Sequence, residues 1–179
     1  MTRLSAVSQR FVLHWGEMGT RWGVNRTVAQ IHALLFLAAE PMSAEEIVET
    51  LSVARSNVST SLRELQSWGL VKEVHILGDR RAHYESLKDV WQMYRLILEE
   101  RKRREIDPTL AMLRESVAAL EKPAAGDAYV RERISETLEF FETLTSAYEE
   151  TRRVPTAIFK SLARARGKVR KLLSIRPTG

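Results

Sequence analysis

The sequence predicts a mainly α-helical protein with one small β-hairpin. Three observations lead there. Apolar residues recur at helical spacing through most of the chain. Between Leu70 and Leu87 the period shortens to that of strands. Glycine and proline, only 8 and 5 in 179 residues, stand at the joints between periodic segments.

The elements follow in order. Leu4, Val7, Phe11, Leu13, Trp15 and Met18 mark a first helix over about 4–18, after which Gly16, Gly19 and Gly23 are expected to loosen the backbone. Asn25 is an N-cap for a second helix over about 26–39, whose nearly all-apolar second half predicts burial on most sides. Pro41 ends it. Ser43 with Glu46 forms a capping box that opens a short third helix, with Ile47, Val48 and Leu51 inward. A brief turn leads to a fourth helix at about 55–68, buried through Val58, Ser61, Leu62 and Leu65, with Gly69 as its C′ residue.

Leu70–Ile76 and Ala82–Leu87 then read as strands around the turn Leu77-Gly78-Asp79-Arg80-Arg81. Helical spacing returns from Asp89. Asp107-Pro108 looks like an N-cap followed by proline at the first helical position, so a new or kinked helix is expected there, with Leu110, Leu113, Val117 and Leu120 as its stripe. Pro123–Gly126 is a loop. A helix over about 127–152 is expected to bury Val130, Ile134, Leu138, Phe141, Leu144 and Tyr148. Pro155 opens a last basic helix. The organisation is thus an N-terminal helix (1–24), a helical module with the hairpin (25–88), a second helical module (89–152) and a basic C-terminal helix (153–179).

Composition narrows the class. At 44% hydrophobic, the chain can bury a sizeable core and is too apolar for disorder. No apolar run approaches the roughly 20 residues of a membrane span, and no secretory signal follows Met1, so a cytoplasmic protein without a membrane partner is the default. The absence of cysteine excludes disulfides, thiolate zinc sites, iron–sulfur clusters and cysteine nucleophiles. The net charge of +5 is unevenly spread. Residues 153–179 hold eight Lys/Arg and no acid, leaving 20 basic against 23 acidic side chains elsewhere. A basic tail suits nucleic acid, an acidic partner or an anionic membrane surface, without choosing among them. Sequence-independent phosphate contacts are one use for it and a membrane-surface helix another.

The order helix, helix, helix, strand, turn, strand over 25–87 is a winged helix-turn-helix arrangement. Its fourth helix would project, at a width that fits the major groove of B-DNA. With Val58, Leu62 and Leu65 inward, the outer face shows Arg55, Ser56, Asn57, Ser59, Thr60 and Arg63. Short polar side chains allow close approach to bases, and arginine binds guanine edges or phosphates in bidentate fashion. Arg80 and Arg81 stand where the hairpin tip would meet the minor groove, whose negative potential attracts arginine. Asp79 beside them is expected to hold one guanidinium by a salt bridge. Acidic residues such as Glu45, Glu46 and Glu49 are expected on the face away from DNA.

These residues also carry a resemblance. Ala54–Ser59, Leu62-Arg63-Glu64-Leu65, Trp68-Gly69-Leu70-Val71 and Gly78-Asp79-Arg80-Arg81 resemble the MarR superfamily of bacterial transcriptional regulators. Gly23–Thr27 and Arg104–Ile106 with Pro108 fit its GbsR-like branch. The resemblance covers about 23–108. It implies double-stranded DNA as partner, a homodimer held by the terminal helices, often a small-molecule effector, and Arg81 with Asp79 as the wing pair. Two positions depart from the pattern: Ala54 replaces the usual serine N-cap, and Ser86-Leu87-Lys88 replaces the frequent Leu-Thr after the wing.

Osmoprotectant regulation is a theme of that branch. Phe11, Trp15, Trp22, Trp91 and Tyr94 could supply an aromatic cage for a quaternary ammonium; ordinary core packing is the alternative. The histidines, His14, His32, His75 and His83, lack metal-ligand spacing and read as surface or wing residues, with His75 and His83 able to face each other across the hairpin. No phosphate loop or nucleophile elbow occurs, so neither an enzyme nor a cofactor is expected. Residues 25–87 hold six basic and eight acidic side chains, which keeps open a winged helix that binds protein rather than DNA.

Overall fold

Asn25 Oδ1 accepts the Thr27 amide at 2.8 Å, and the chain turns into the most buried helix among the described residues. The computed structural model describes residues 4–120, 128–154, 157–158 and 161. Its elements are α1 (Ala6–Arg21), α2 (Arg26–Leu37), β1 (Met42–Ser43), α3 (Ala44–Leu51), α4 (Arg55–Ser67), β2 (Val71–Val74), β3 (His83–Ser86), α5 (Val90–Arg101), a π-helical turn (Lys102–Ile106), α6 (Asp107–Leu120) and α7 (Ala128–Arg153). Two compact units divide between Glu100 and Arg101. Among the described residues no helix is long and apolar enough to cross a membrane.

In the first unit the core gathers around α2. Ile31, Leu34 and Leu35 meet Ile47 of α3, Val58, Leu62 and Leu65 of α4, and Leu70 and Val71 at the start of the hairpin. Each fully buried side chain of this kind contributes about 1.5–3 kcal/mol. The capping box forms as read: Glu46 accepts the Ser43 amide at 2.7 Å and the Ser43 hydroxyl accepts the Glu46 amide at 3.3 Å. These hydrogen bonds hold the Glu46 carboxyl below its ordinary pKa.

The helix α1 runs three residues past its expected end. Gly16 and Gly19 do not loosen it; they let α2 approach. A Cβ on Gly19 would stand 2.4 Å from the Ala29 Cβ, and one on Gly16 would stand 2.6 Å from the Gln30 Cγ. The residues sit where two helices touch, so lack of a side chain matters there more than backbone freedom.

The sheet has one strand more than expected. Met42 and Ser43 pair antiparallel with Tyr84 and His83, giving the order β1-β3-β2. Two residues beside a proline carry no periodic signal, so β1 is created by its neighbour. Register also places His83 opposite Val74, not His75. His83 is buried, and its Nδ1 lies 3.0 Å from the Arg81 carbonyl oxygen. Of the four histidines only His14 and His75 are exposed. His32 is 4% exposed, with no hydrogen-bond partner for Nε2. It lies inside the apolar half of α2, and the same periodicity that buries Ile31 to Leu35 carries it inward.

Lys88, a position where the chain departs from the MarR pattern, ties the hairpin to α2. Its Nζ donates to the carbonyl oxygens of Leu35, Phe36 and Ala38 at 2.7, 3.0 and 2.6 Å. These carbonyls belong to the last turn of α2, which has no basic residue of its own. Burial of the ammonium lowers the lysine pKa.

In the second unit α6 begins at Asp107 as the kinked continuation the sequence allowed, without a capped break before it. The Asp107 φ of −61° and ψ of −42° are helical, and the π-turn Lys102–Ile106 leads straight into α6. Pro108 has no N–H to donate, and a widened turn accommodates its ring without ending the helix. Leu110 and Leu113 are buried against α7, and Arg114 chelates Glu142 Oε1 through Nε and Nη2 at 3.1 and 2.9 Å. Burial along α7 is shallower than expected: Ile134, Leu138, Phe141 and Tyr148 are half-buried, while Val130 and Leu144 are exposed with Tyr129, Phe140 and, on α6, Met112. One helix pair covers only one stripe of each partner, and α7 carries apolar residues on more than one. The loop Pro123–Gly126 and nearly all of the basic C-terminal helix lie outside the described residues.

Two predictions follow from these contacts. Burial pushes the His32 pKa down to about 4. The unfolded chain takes up this proton below about pH 6.5, the folded one only below about 4, so the unfolded state binds more protons between the two. Stability should therefore fall as pH drops through that window, by roughly 3 kcal/mol in full. Urea titrations from pH 7 to 5 should show this slope in the wild type and a flatter one in His32→Leu. Lys88→Met should cost about 1 kcal/mol in the same measurement at pH 7, by leaving the α2 carbonyls without their charged donor.

Candidate nucleic-acid interface

The placement of α4 follows from its two faces. Val58, Ser61, Leu62 and Leu65 are buried, and this turns Arg55, Ser56, Asn57, Ser59, Thr60 and Arg63 to the surface. All six expected residues therefore share the outer side of one helix. Ala54, at the N-cap, supplies no side-chain acceptor, so the first turn of α4 lacks that hydrogen bond. At the other end Gly69, at φ +71°, closes a Schellman motif: its own amide reaches the Gln66 carbonyl at 2.9 Å and the Leu70 amide reaches that of Leu65 at 3.0 Å. The chain is thereby sent directly into β2.

Two arginines of this surface have carboxylate partners. Asp79 grips Arg81: Nη2 donates to Oδ2 at 2.6 Å, and Nε donates to both oxygens at 3.1 and 3.0 Å. The Arg81 amide adds a bond to Oδ1 at 2.9 Å. These bonds hold the Asp79 carboxyl far below the usual carboxylate range and raise the arginine pKa. The expected salt bridge thus goes to Arg81. Arg80, next to it, is exposed. At the tip of the wing Ile76 and Leu77 are also exposed, Leu77 completely.

The second pair is Arg55 with Glu45, Nη1 to Oε1 at 2.7 Å. Glu45 belongs to α3 and was expected on the opposite side. Instead it lines, with Arg55, Ser59, Arg63, Gln66, Arg81 and Tyr84, a cleft of about 320 Å³ between α4 and the base of the wing. Three arginines and one glutamate from three separate elements converge there. Glu45, Gln66 and Tyr84 were missed in the sequence. Glu45 lies ten residues before Arg55 across a helix-helix turn, a separation with no local signature. Gln66 lies three residues beyond Arg63 and seven beyond Ser59, on the same helix face, and could have been added from periodicity.

Phe11 and Trp15 stack at 5.3 Å with planes 16° apart, both packed on the core, and Trp22 meets Trp15 edge-on at 6.4 Å. Trp91 and Tyr94 belong to α5, the former partly buried and the latter exposed. Among the described residues no group of three or more His, Asp or Glu is placed to hold a metal ion.

Residues 22–82 match the model of the MarR family. The chain is also similar to the HTH-type transcriptional repressor GbsR of Bacillus subtilis (strain 168), with 22% identity over 126 residues, 70% of this chain and 69% of that protein. In fold it resembles the crystal structure of a transcriptional regulator at a TM-score of 0.63 and 17% identity, covering 81% of this chain and 95% of that one.

The Asp79–Arg81 clamp makes a local prediction. In Asp79→Ala the Arg81 amide loses its acceptor, and its hydrogen exchange should accelerate about tenfold. The melting temperature should stay nearly constant, because the pair lies outside the core.

Proposed function

We propose, from the match of residues 22–82 to the MarR family, that this protein is a MarR-type, sequence-specific, DNA-binding transcriptional regulator. It acts as a repressor, binding a palindromic operator as a homodimer. The observation that carries this reading is the shared surface of α4 and the wing, where Arg55, Arg63 and Arg81 line one cleft beside short polar side chains. In this reading α4 enters the major groove. Ser56, Asn57, Ser59 and Thr60 bring the backbone close to the base edges, while Arg55 and Arg63 reach guanine or phosphate. Arg80 and Arg81 follow the minor groove, the second oriented by Asp79.

Dimerisation belongs to the helical module of residues 89–152. Its support is the set of apolar side chains that one chain leaves uncovered, Met112, Tyr129, Val130, Phe140 and Leu144. A two-fold dimer would present its two α4 helices to half-sites about 34–36 Å apart, which is why the operator would be palindromic. Bound there, the dimer would occlude the promoter. The N-terminal helix (1–24) supports module 25–88, and the basic segment 153–179 adds phosphate contacts. A small-molecule effector would act by binding one spacing of the α4 helices more tightly than another. Its site would draw on Phe11, Trp15, Trp22, Trp91 and Tyr94, of which Phe11 and Trp15 stack on one another and Trp22 and Tyr94 are exposed.

The second reading is a winged helix that binds protein. Its support is charge: residues 25–87 are net negative, with six basic and eight acidic side chains.

Selection of genomic DNA on the purified protein, at two salt concentrations, decides between them. The expected result is an enriched palindrome. Arg55→Ala should weaken binding to it by about 1–3 kcal/mol and relax preference at one base pair. Arg81→Ala should weaken selected and unrelated duplexes alike and reduce the salt slope by about one. No enriched sequence, with variants like wild type, would leave the protein-binding reading in first place.

A further inference from the structure

The domain bears a contradiction between its charge and its proposed task. Phosphate contacts drive most non-specific DNA affinity, yet residues 25–87 are net negative. One of the acids is not on a remote face. Glu45 sits in the cleft between α4 and the wing and holds Arg55 from one side. The Arg55 side chain is 73% exposed and that of Glu45 38%, so the pair is open to an approaching duplex.

The geometry has two consequences. A guanidinium carries five N–H donors in a rigid plane. Glu45 Oε1 stands 2.7 Å from Nη1, and this ion pair draws the guanidinium toward the cleft and narrows the directions in which its donors can point. A long side chain that is already oriented loses less rotamer freedom when it meets a base edge. The same carboxylate repels phosphate oxygens, and it competes for Arg55 with any phosphate the duplex offers. Correct base edges would therefore gain from the pair, and backbone contacts alone would lose.

We propose that Glu45 is a specificity-determining residue of the α4 surface, positioning Arg55 for base edges and withholding it from the phosphate backbone. The proposal rests on the DNA-binding reading above. It assigns Glu45 no contact with bases of its own; its effect passes through Arg55.

The test compares wild type, Glu45→Gln, Arg55→Ala and the double variant on two duplexes of equal length, the selected operator and a scrambled sequence, by fluorescence anisotropy at two salt concentrations. Glu45→Gln keeps the size and hydrogen-bonding capacity of the side chain, and thermal unfolding should show it folded. Affinity for the scrambled duplex should rise about three- to tenfold, the range expected for losing one exposed ion pair and one repulsive charge. Its salt slope should steepen by about one, the mark of one more phosphate contact. Affinity for the operator should hold or fall up to about threefold, as Arg55 loses its orientation. In the Arg55→Ala background the same substitution should leave the ratio of the two affinities unchanged.

Three results would overturn the proposal. A ratio within twofold of wild type in Glu45→Gln would mean that Glu45 repels all DNA equally. A loss of ratio that persists without Arg55 would mean that it does not act through Arg55. A wild-type protein that prefers no selected duplex over the scrambled one would remove the DNA-binding reading, and this inference with it.

Discussion

The first unit depends on the burial of one side of α4 against α2. Val58, Leu62 and Leu65 interlock with Ile31, Leu34 and Leu35, and this contact fixes how α4 is rotated about its axis. Everything proposed for the surface follows from that rotation. Turned by one residue, about 100°, the helix would bury polar groups and expose leucines. At a cost of several kcal/mol for each misplaced side chain, the alternative does not compete. The direction in which the polar face points is thus set by core packing.

Around that contact the connections are held by hydrogen bonds at the ends of elements. The Ser43–Glu46 box starts α3, the Schellman turn at Gly69 releases α4 into the sheet, and the Lys88 ammonium closes α2. These set where the wing begins relative to α4, and so where Arg81 stands relative to Arg55 and Arg63. Asp79 and Glu45 each pair with one arginine, so part of the acidic excess of the domain stands beside its cations. Pairing of this kind adds little to stability in water. Its value lies in geometry.

Much of this was legible in the residues. Period and punctuation located the helices, and the inward positions of α4 were read correctly down to Ser61, because a helix face repeats every 3.6 residues regardless of what packs on it. The Asp79–Arg81 pair was legible for the same reason of proximity: two residues apart in a turn, they can hardly avoid one another. The failures share the opposite property. The strand β1 exists only because β3 lies beside it. Gly16 and Gly19 looked like helix breakers until α2 supplied a reason for small residues. At Asp107-Pro108 the sequence left a new and a kinked helix open, and the π-turn before α6 decides for the kinked one.

By itself, then, the sequence determined which segments are helical, which faces are apolar, and that the order of elements is that of a winged helix-turn-helix. Those properties are set by interactions within a few residues. Tertiary structure decided what lies across from what: that Glu45 of α3 meets Arg55 of α4, that Lys88 reaches back to α2, that His32 and His83 are buried, and that the helical pair α6–α7 leaves apolar side chains uncovered. Each of these joins residues on different elements, or counts what no neighbour covers. The physical reason is the same throughout: such contacts depend on the packing angles between elements, and those angles are settled by the whole core at once.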